Sequence, residues 1–497
     1  MKILERLAAS YLKRSYDAAR RGRLSSDWMA SAASEDSELF SDLATLRNRS
    51  RQMIRDNPHA KNLQRIIENN VVGTGIGCQA LVLKPNGEPD KDANDRIEAA
   101  WAAWCERDTC HTAGLMSMSD ILRLVIGSVF RDGEAIVRKV PQAFGKGKIP
   151  FALEVIEPDL LLDQTGSFLT NQGTAVRLGI EVNEWHRPVA YWMRTTHPGD
   201  YSFVRNTVVD QTVRIDAAQI EHLYLVERWP QTRGTPWMHM VLRRLRDIGE
   251  YTKSEIVAAR AAANIVGFVQ QNPDFANPNG FDPEKPRPDF VKSEPGTFRR
   301  LLPGETFSGF SPARPNANLD AFMRYMLREV AAGVGVSYET LSRDYSQSNY
   351  SSSRLALLDD RDLWRMLQGW LISNFLSRIY REWLDAAVLS GVLKLPGYWN
   401  DKARFQAVRF KPRGWSWIDP SKEVAAYREA VSCGFMSRSS VISAIGNGQD
   451  REEVDRDIRA DQDGAEELGL KFATGGGGQP VPSDPQPNQG EAKQTGE

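Results

Sequence analysis

At 497 residues the chain is longer than one compact core supports, so two or more domains are expected. Its 63 Lys and Arg against 64 Asp and Glu give a net charge of −1. That balance excludes a protein gripping nucleic acid along its whole surface, which needs excess cations, but allows one past which a duplex slides.

Four cysteines (Cys78, Cys105, Cys110 and Cys433) are too few for a disulfide scaffold and fit synthesis in a reducing cytoplasm. No run approaches the roughly 18 apolar residues of a membrane span. Lys2, Glu5, Arg6, Lys13 and Arg14 deny the N-terminus a signal-peptide core. A soluble intracellular product is expected.

In chain order, Met1 to about Arg23 reads as a basic amphipathic stretch, with Leu4, Leu7, Tyr11 and Leu12 on one side, in a marginally ordered tail. Two helices are predicted between Leu39 and Asn70, divided where Asn57 can cap and Pro58 can take the first helical position. Arg47, Arg49, Arg51 and Arg55 on the first read as a solvated or subunit-contacting face. Gly73-Thr74-Gly75-Ile76-Gly77 is no dinucleotide loop, since G-x-G-x-x-G would need glycine where Cys78 stands; a turn into a strand is expected. Trp101, Trp104 and the run Leu122 to Phe130 predict two packed helices. Cys105-x4-Cys110-His111 lacks the fourth ligand and tight knuckle of a zinc site, so no metal is expected.

From Gly133 to Glu227 the period drops to two: Ala135-Val137, Leu153-Val155, Ile180-Val182, Val189-Tyr191 and Val213-Ile215 alternate between turn signals. A sheet region in an α+β body follows, with His186, His197 and His222 structural or solvated. Gly145-Lys146-Gly147-Lys148 lacks the spacing of a P-loop. Thr235 and Pro236 predict a helix start, and a helix carries Met238, Val241, Leu242, Leu245 and Ile248 towards the alanines 258 to 263. The pattern dissolves into Pro, Gly, Asn and Asp from Gln270 to Pro315. It resumes as an apolar stripe (Leu319, Phe322, Met323, Met326, Leu327, Val330) ending near Gly333 and Gly335.

The polar stretch Asp344-Tyr345-Ser346-Gln347-Ser348-Asn349-Tyr350-Ser351-Ser352-Ser353-Arg354 comes next. A helix of roughly 57 Å follows it if unbroken from about Ser352 to Leu389. Asp359, Asp360 and Asp362 on that helix read as a solvated face rather than a two-metal site. Beyond Gly397 lie aromatic strands or turns, then helices opened by Asp419-Pro420, then a disordered Gly/Pro-rich tail from Ala473.

Several phrases share a resemblance in the right order: Val71-Val72-Gly73-x-Gly75-Ile76, Glu227-Arg228-x-x-Gln231-x-Arg233-Gly234, Leu301-Leu302-Pro303-Gly304-Glu305, and Asp344-Tyr345-Ser346 with Asn349-Tyr350-Ser351-Ser352 and Arg354. Together they resemble the lambda-like family of phage portal proteins, from about Leu46 to Gly448. The resemblance implies a ring-forming α+β portal fold: a flexible arm (1–38), an α+β wing (39–234), stem helices (235–266 and 318–336) around a clip (267–317), a tunnel loop (337–353), a long helix returning to the wing (354–418), a crown-like helical region (419–470) and a disordered tail (471–497).

It implies a non-enzymatic ring, typically a dodecamer, without cofactors, at one capsid vertex of the virion and assembled in the host cytoplasm. Double-stranded DNA would be packaged and ejected through it without sequence specificity. The partners implied are the major capsid or scaffold protein, the terminase large subunit and a head-tail adaptor. Asp344, Tyr345, Ser346, Gln347, Ser348, Asn349, Tyr350, Ser351, Ser352 and Arg354 would face DNA, and Phe298, Arg299, Arg300 and Glu305 would meet the terminase. A metal-dependent nuclease or recombinase is the alternative from another class, and a monomeric scaffold the third.

Overall fold

The structure is a computed structural model that describes residues 31–162, 168–169, 174–200, 211–264, 267–271, 305–309, 318–415, 420–445 and 451–469. The N-terminal stretch and the Gly/Pro-rich tail lie outside the described residues. The chain divides into a unit ending at Phe410 and a second from Lys411 onward.

The first unit opens with α1 (Glu35–Asp56) and α2 (Pro58–Val71). The break between them is made by residue chemistry. Asn57 accepts from the backbone N–H groups of His59 and Ala60, and Pro58 begins α2, where its missing N–H costs nothing. A short strand β1 (Gly77–Ala80) and α3 (Lys91–Trp104) follow, then α4 (Met118–Asp132). A reciprocal capping box between Ser117 and Asp120 starts α4, and Gly133 at φ 90° ends it. Ile121, Leu122, Val125, Ile126, Val129 and Phe130 bury α4 among α1, α2 and the first sheet strand, making it the central helix of the body.

The two larger sheets of this unit, among the described residues, are antiparallel. β2 (Glu134–Val140), β3 (Ala152–Ile156) and β9 (Ile220–Tyr224) form one in the order β3-β2-β9. The other is a meander of β4 (Phe168–Leu169), β5 (Ala175–Arg177), β6 (Ile180–Val182), β7 (Pro188–Arg194) and β8 (Thr212–Asp216). Alternating Ile136, Ile180, Val182, Tyr191, Met193, Ile215 and Ile220 meet in one apolar cluster, as the period of two requires.

The helix expected to open at Thr235 begins later. Pro236 stays extended (ψ 125°), Trp237–Met240 form one 3₁₀ turn, and α5 spans Leu242–Asn264. The Thr235 hydroxyl is buried and caps nothing. α6 (Leu319–Val334) packs with α5 through Tyr251 and Phe322, whose rings lie 5.1 Å apart, and through an Arg244–Glu329 ion pair of 3.0 Å. Between these helices the described residues show β10 (Gly267–Gln271) paired antiparallel with β11 (Glu305–Gly309). Gly335, at φ 81°, closes α6.

The long helix is one rod with a flaw. α8 (Tyr350–Leu371) passes through a π-helical turn, Ile372–Leu376, into α9 (Ser377–Leu389). Ser373 Oγ donates to Gly369 O (2.8 Å) and Asn374 Nδ2 to Trp370 O (2.9 Å), and such competition with the helix ladder accompanies the wider turn. α9 packs on α3 through an aromatic cluster, with Trp383 4.9 Å from Trp101 and Trp104 Nε1 donating to Phe151 O. β12 (Val408–Lys411) pairs with β1. Phe405, read as strand or turn, sits instead at the end of a one-turn helix, Lys402–Phe405.

The second unit contains α10 (Pro420–Ser432), α11 (Arg438–Ile445) and α12 (Arg451–Glu467). An Arg438–Asp455 ion pair of 2.8 Å joins its last two helices.

Candidate functional site

Asp344 to Arg354 is shorter as a loop than its composition suggests, because both ends are capped. A helix α7 (Tyr338–Ser342), absent from the sequence reading, precedes it, with Ser337 as N-cap. Arg343 then turns the chain in the left-handed region (φ 60°). Downstream, Asn349 accepts from Ser352 N at 2.9 Å while Ser352 Oγ accepts from Asn349 N, so α8 already begins at Tyr350. The irregular segment is Arg343 to Asn349.

Its base is fixed to three helices. Asp360, buried on α8, accepts from Ser337 N (2.7 Å), Ser337 Oγ (2.8 Å) and Thr340 Oγ1 (2.6 Å). The expectation of a solvated row Asp359-Asp360-Asp362 is therefore corrected. Asp360 points inward to cap α7, Asp359 is exposed, and Asp362 pairs with Arg365 at 2.9 Å. From α2, Asn62 Nδ2 donates to Leu341 O at 2.8 Å, and from α6 the Arg328 guanidinium lies 5.4 Å from the Tyr338 ring centre.

Within the loop, Asp344 Oδ1 accepts from Ser346 N and Oδ2 from the Tyr338 hydroxyl (2.8 Å). Hydrogen bonds from Ser346, then from Tyr338, hold this carboxyl at about 2, so it remains ionised. Ser348 Oγ folds back onto Tyr345 O. Tyr345 is 58 % exposed and Gln347 is exposed at the tip. Tyr345 and Gln347 are thus presented outward, whereas the Asn349 amide is engaged as a cap. Ser351 is exposed and Arg354 half-buried on the first turns of α8. Of the other expected contact residues, Phe298, Arg299 and Arg300 lie outside the described residues, and Glu305 opens β11 opposite Gln271.

The second motif, Glu227 to Gly234, is a buried joint. Arg233 is fully buried, donates through Nε and Nη2 to Glu134, and gives Nη1 to Leu178 O (2.9 Å). Glu134 also accepts from Arg47 (3.0 Å) and His222 (2.9 Å). Burial pushes the Glu134 carboxyl up, but Arg233 and then His222 outweigh it and hold the group well below its ordinary range. Gln231 accepts from Glu227 N and donates to Arg233 O. Thr232 donates twice to Asp36 on α1.

Gly234 is required by space. A Cβ there would stand 2.6 Å from the Gly133 carbonyl carbon and 2.7 Å from Tyr224 Cβ. The arginine face on α1 is corrected for two of its four members: Arg49 and Arg55 are exposed, while Arg47 is fully buried between Glu134 and Asp159, and Arg51 binds Asp132 (2.7 Å), Glu157 and Asp159. Glu157, Asp159 and His197 are the one trio of potential metal ligands close enough together among the described residues. Those two arginines already supply its positive charge. Cys110 is a thiol, pushed up to about 12 by burial, with Sγ directed at Cys105 O.

A family model described as "Phage portal protein, lambda family" matches residues 21–368, which include both motifs. The chain is similar to the "Probable portal protein" of Halomonas phage phiHAP-1, 32% identical over 459 residues that cover 90% of this chain and 87% of that one. It is similar to "Portal protein B" of Escherichia phage lambda, 21% identical over 86% of this chain and 85% of that one. Among solved structures, a chain of the "Virion of native gene transfer agent (GTA) particle" is similar with a TM-score of 0.43 and 14% identity, covering 82% of this chain and 94% of that one.

Proposed function

The chain belongs to the lambda family of phage portal proteins, and we propose that its copies close into a ring, a dodecamer, at one capsid vertex, through which double-stranded DNA is packaged and later ejected. In this reading α5 and α6 are the stem, residues 267–317 the clip, and the segment from Arg343 to Asn349 lines the channel. The clip meets the terminase large subunit during packaging and a head-tail adaptor afterwards. The body contacts the capsid or scaffold protein.

The observation that carries the channel assignment is the contrast between the loop's exposed tip and its fixed base. Tyr345 and Gln347 stand outward on a turn anchored by Asp360, Asn62 and two helix caps. A channel that passes DNA in one direction and then holds it needs weak contacts independent of base sequence. A phenol and an amide can touch phosphate oxygens without the salt-dependent grip of a lysine array. The role is mechanical, and ATP hydrolysis falls to the terminase.

Electron microscopy of the purified protein, viewed down the particle axis, tests the ring. Closed rings with a central hole are expected. Monomers alone, with capsid or scaffold partner supplied, would overturn the reading.

A further inference from the structure

The turn between β6 and β7 and the loop after β9 carry exposed aromatic groups that meet through His186. Trp185 is 76 % exposed and Trp229 66 %, with Val226 also exposed. His186, next to Trp185, meets the Trp229 ring edge-to-face at 5.9 Å. Asn183 and Arg187, from the same turn, line an open cleft of about 610 Å³ that reaches Tyr224 and Trp370. Two large indoles at this exposure, one on the residue next to His186 and one against the His186 ring, are costly unless something covers them.

The start of α1 lies against the same loop. Arg228 Nη2 donates to Ala33 O at 3.0 Å, and Thr232 binds Asp36, so Ala33 is held against the loop that carries Trp229. That preceding stretch carries Leu4, Leu7, Tyr11 and Leu12 at helical spacing, and through Arg23 it holds seven Lys or Arg against two acidic residues. Exposed Glu184 and Glu227 stand beside the two tryptophans. Arg187 is the opposing charge of the turn, while Arg228 faces Glu35 and Glu38. The tether from Leu12 to Ala33 can span up to about 70 Å when extended, and it raises the local concentration of the arm to the millimolar range.

We propose that the N-terminal arm of the same chain, through Leu4, Leu7, Tyr11 and Leu12, covers the Trp185–Trp229 patch, with its lysines set against Glu184 and Glu227.

Zero-length carbodiimide cross-linking of the full-length protein, assembled from a mixture of light and ¹⁵N-labelled chains, tests this directly. The expected products join Lys2 or Lys13 to Glu184 or Glu227 in peptides of a single isotope. Replacing both tryptophans (Trp185→Ser with Trp229→Ser) should lower their yield at least about tenfold, equivalent to about 1.4 kcal/mol of docking. Leu389→Ser, at an exposed position on α9, should leave the yield unchanged. Mixed-isotope products would assign the patch to another copy's arm and overturn the proposal. So would absence of these links, or a yield indifferent to the double replacement.

Discussion

The two family-like motifs use similar residue types to opposite ends. Around Glu227 to Gly234, arginine, glutamine and threonine are folded inward until Arg233 has no exposure; Arg233 and Thr232 reach β2 and α1, while Gln231 braces the segment itself. In Asp344 to Asn349 the polar groups close local turns, apart from Asp344, which also binds Tyr338 on α7 and lies 3.7 Å from Arg324 on α6, and Tyr345 and Gln347 are left facing outward. The difference is one of partners. Inside, each charge needs an opposite charge in a fixed place, and that makes a joint; outside, water satisfies the group, and the position stays free to touch something that passes. Motif text alone does not distinguish these roles.

Substitutions at the joint should therefore be the most damaging. Arg233→Met leaves the buried Glu134 carboxylate with only Arg47 and His222 beside it, and should cost about 3–5 kcal/mol, read as a lower urea midpoint with little change in slope. Acidification attacks the same joint. Burial lowers His222 below its ordinary value near 6.5, and the surrounding arginines hold Glu134 and Asp159 below the carboxylate range.

In all three cases the unfolded chain binds protons more readily, so stability falls as pH falls. The loss begins below about pH 6.5 through His222 and steepens below about pH 4.5 through the carboxylates. His222→Gln should flatten the upper part of that slope, measured by thermal unfolding between pH 7 and pH 5.

Smaller effects are expected towards the loop. Asp360→Ala removes the acceptor for Ser337 and Thr340 and should cost about 1–3 kcal/mol, loosening α7 in hydrogen exchange. Asn349→Ala loses one N-cap, about 1 kcal/mol, and lets the first turn of α8 exchange faster. Gln347→Lys should change stability by less than about 0.5 kcal/mol while slowing packaging or lowering the DNA retained by intact rings. If Gln347→Lys particles package and retain DNA normally, the loop is removed from the mechanism.

What could be read from the sequence was local. Asn57-Pro58 and Gly335 end and start helices through their own backbone chemistry, and alternation at Ile180-Val182 or Val189-Tyr191 needs no distant partner to mark a strand. The joint was hidden because its partners are remote: Arg47 meets Glu134 87 positions away and Asp159 112 positions away. Asp360 was misread beside Asp359 for the same reason, its partners lying 20 and 23 residues upstream across a turn. Asn349 was readable, since Asn three residues before Ser is a capping pattern, but a polar context concealed it. Thr235-Pro236 showed the converse failure, a good local cap signal overridden by the close approach of Gly133 and Gly234.

The most direct test of the channel assignment is photo-cross-linking from position 345, with a benzophenone amino acid replacing Tyr345, in particles filled with DNA. The account predicts covalent DNA adducts at this position across unrelated genome sequences, and none from the same group placed at exposed Trp229. Adducts at 229 without adducts at 345 would contradict it.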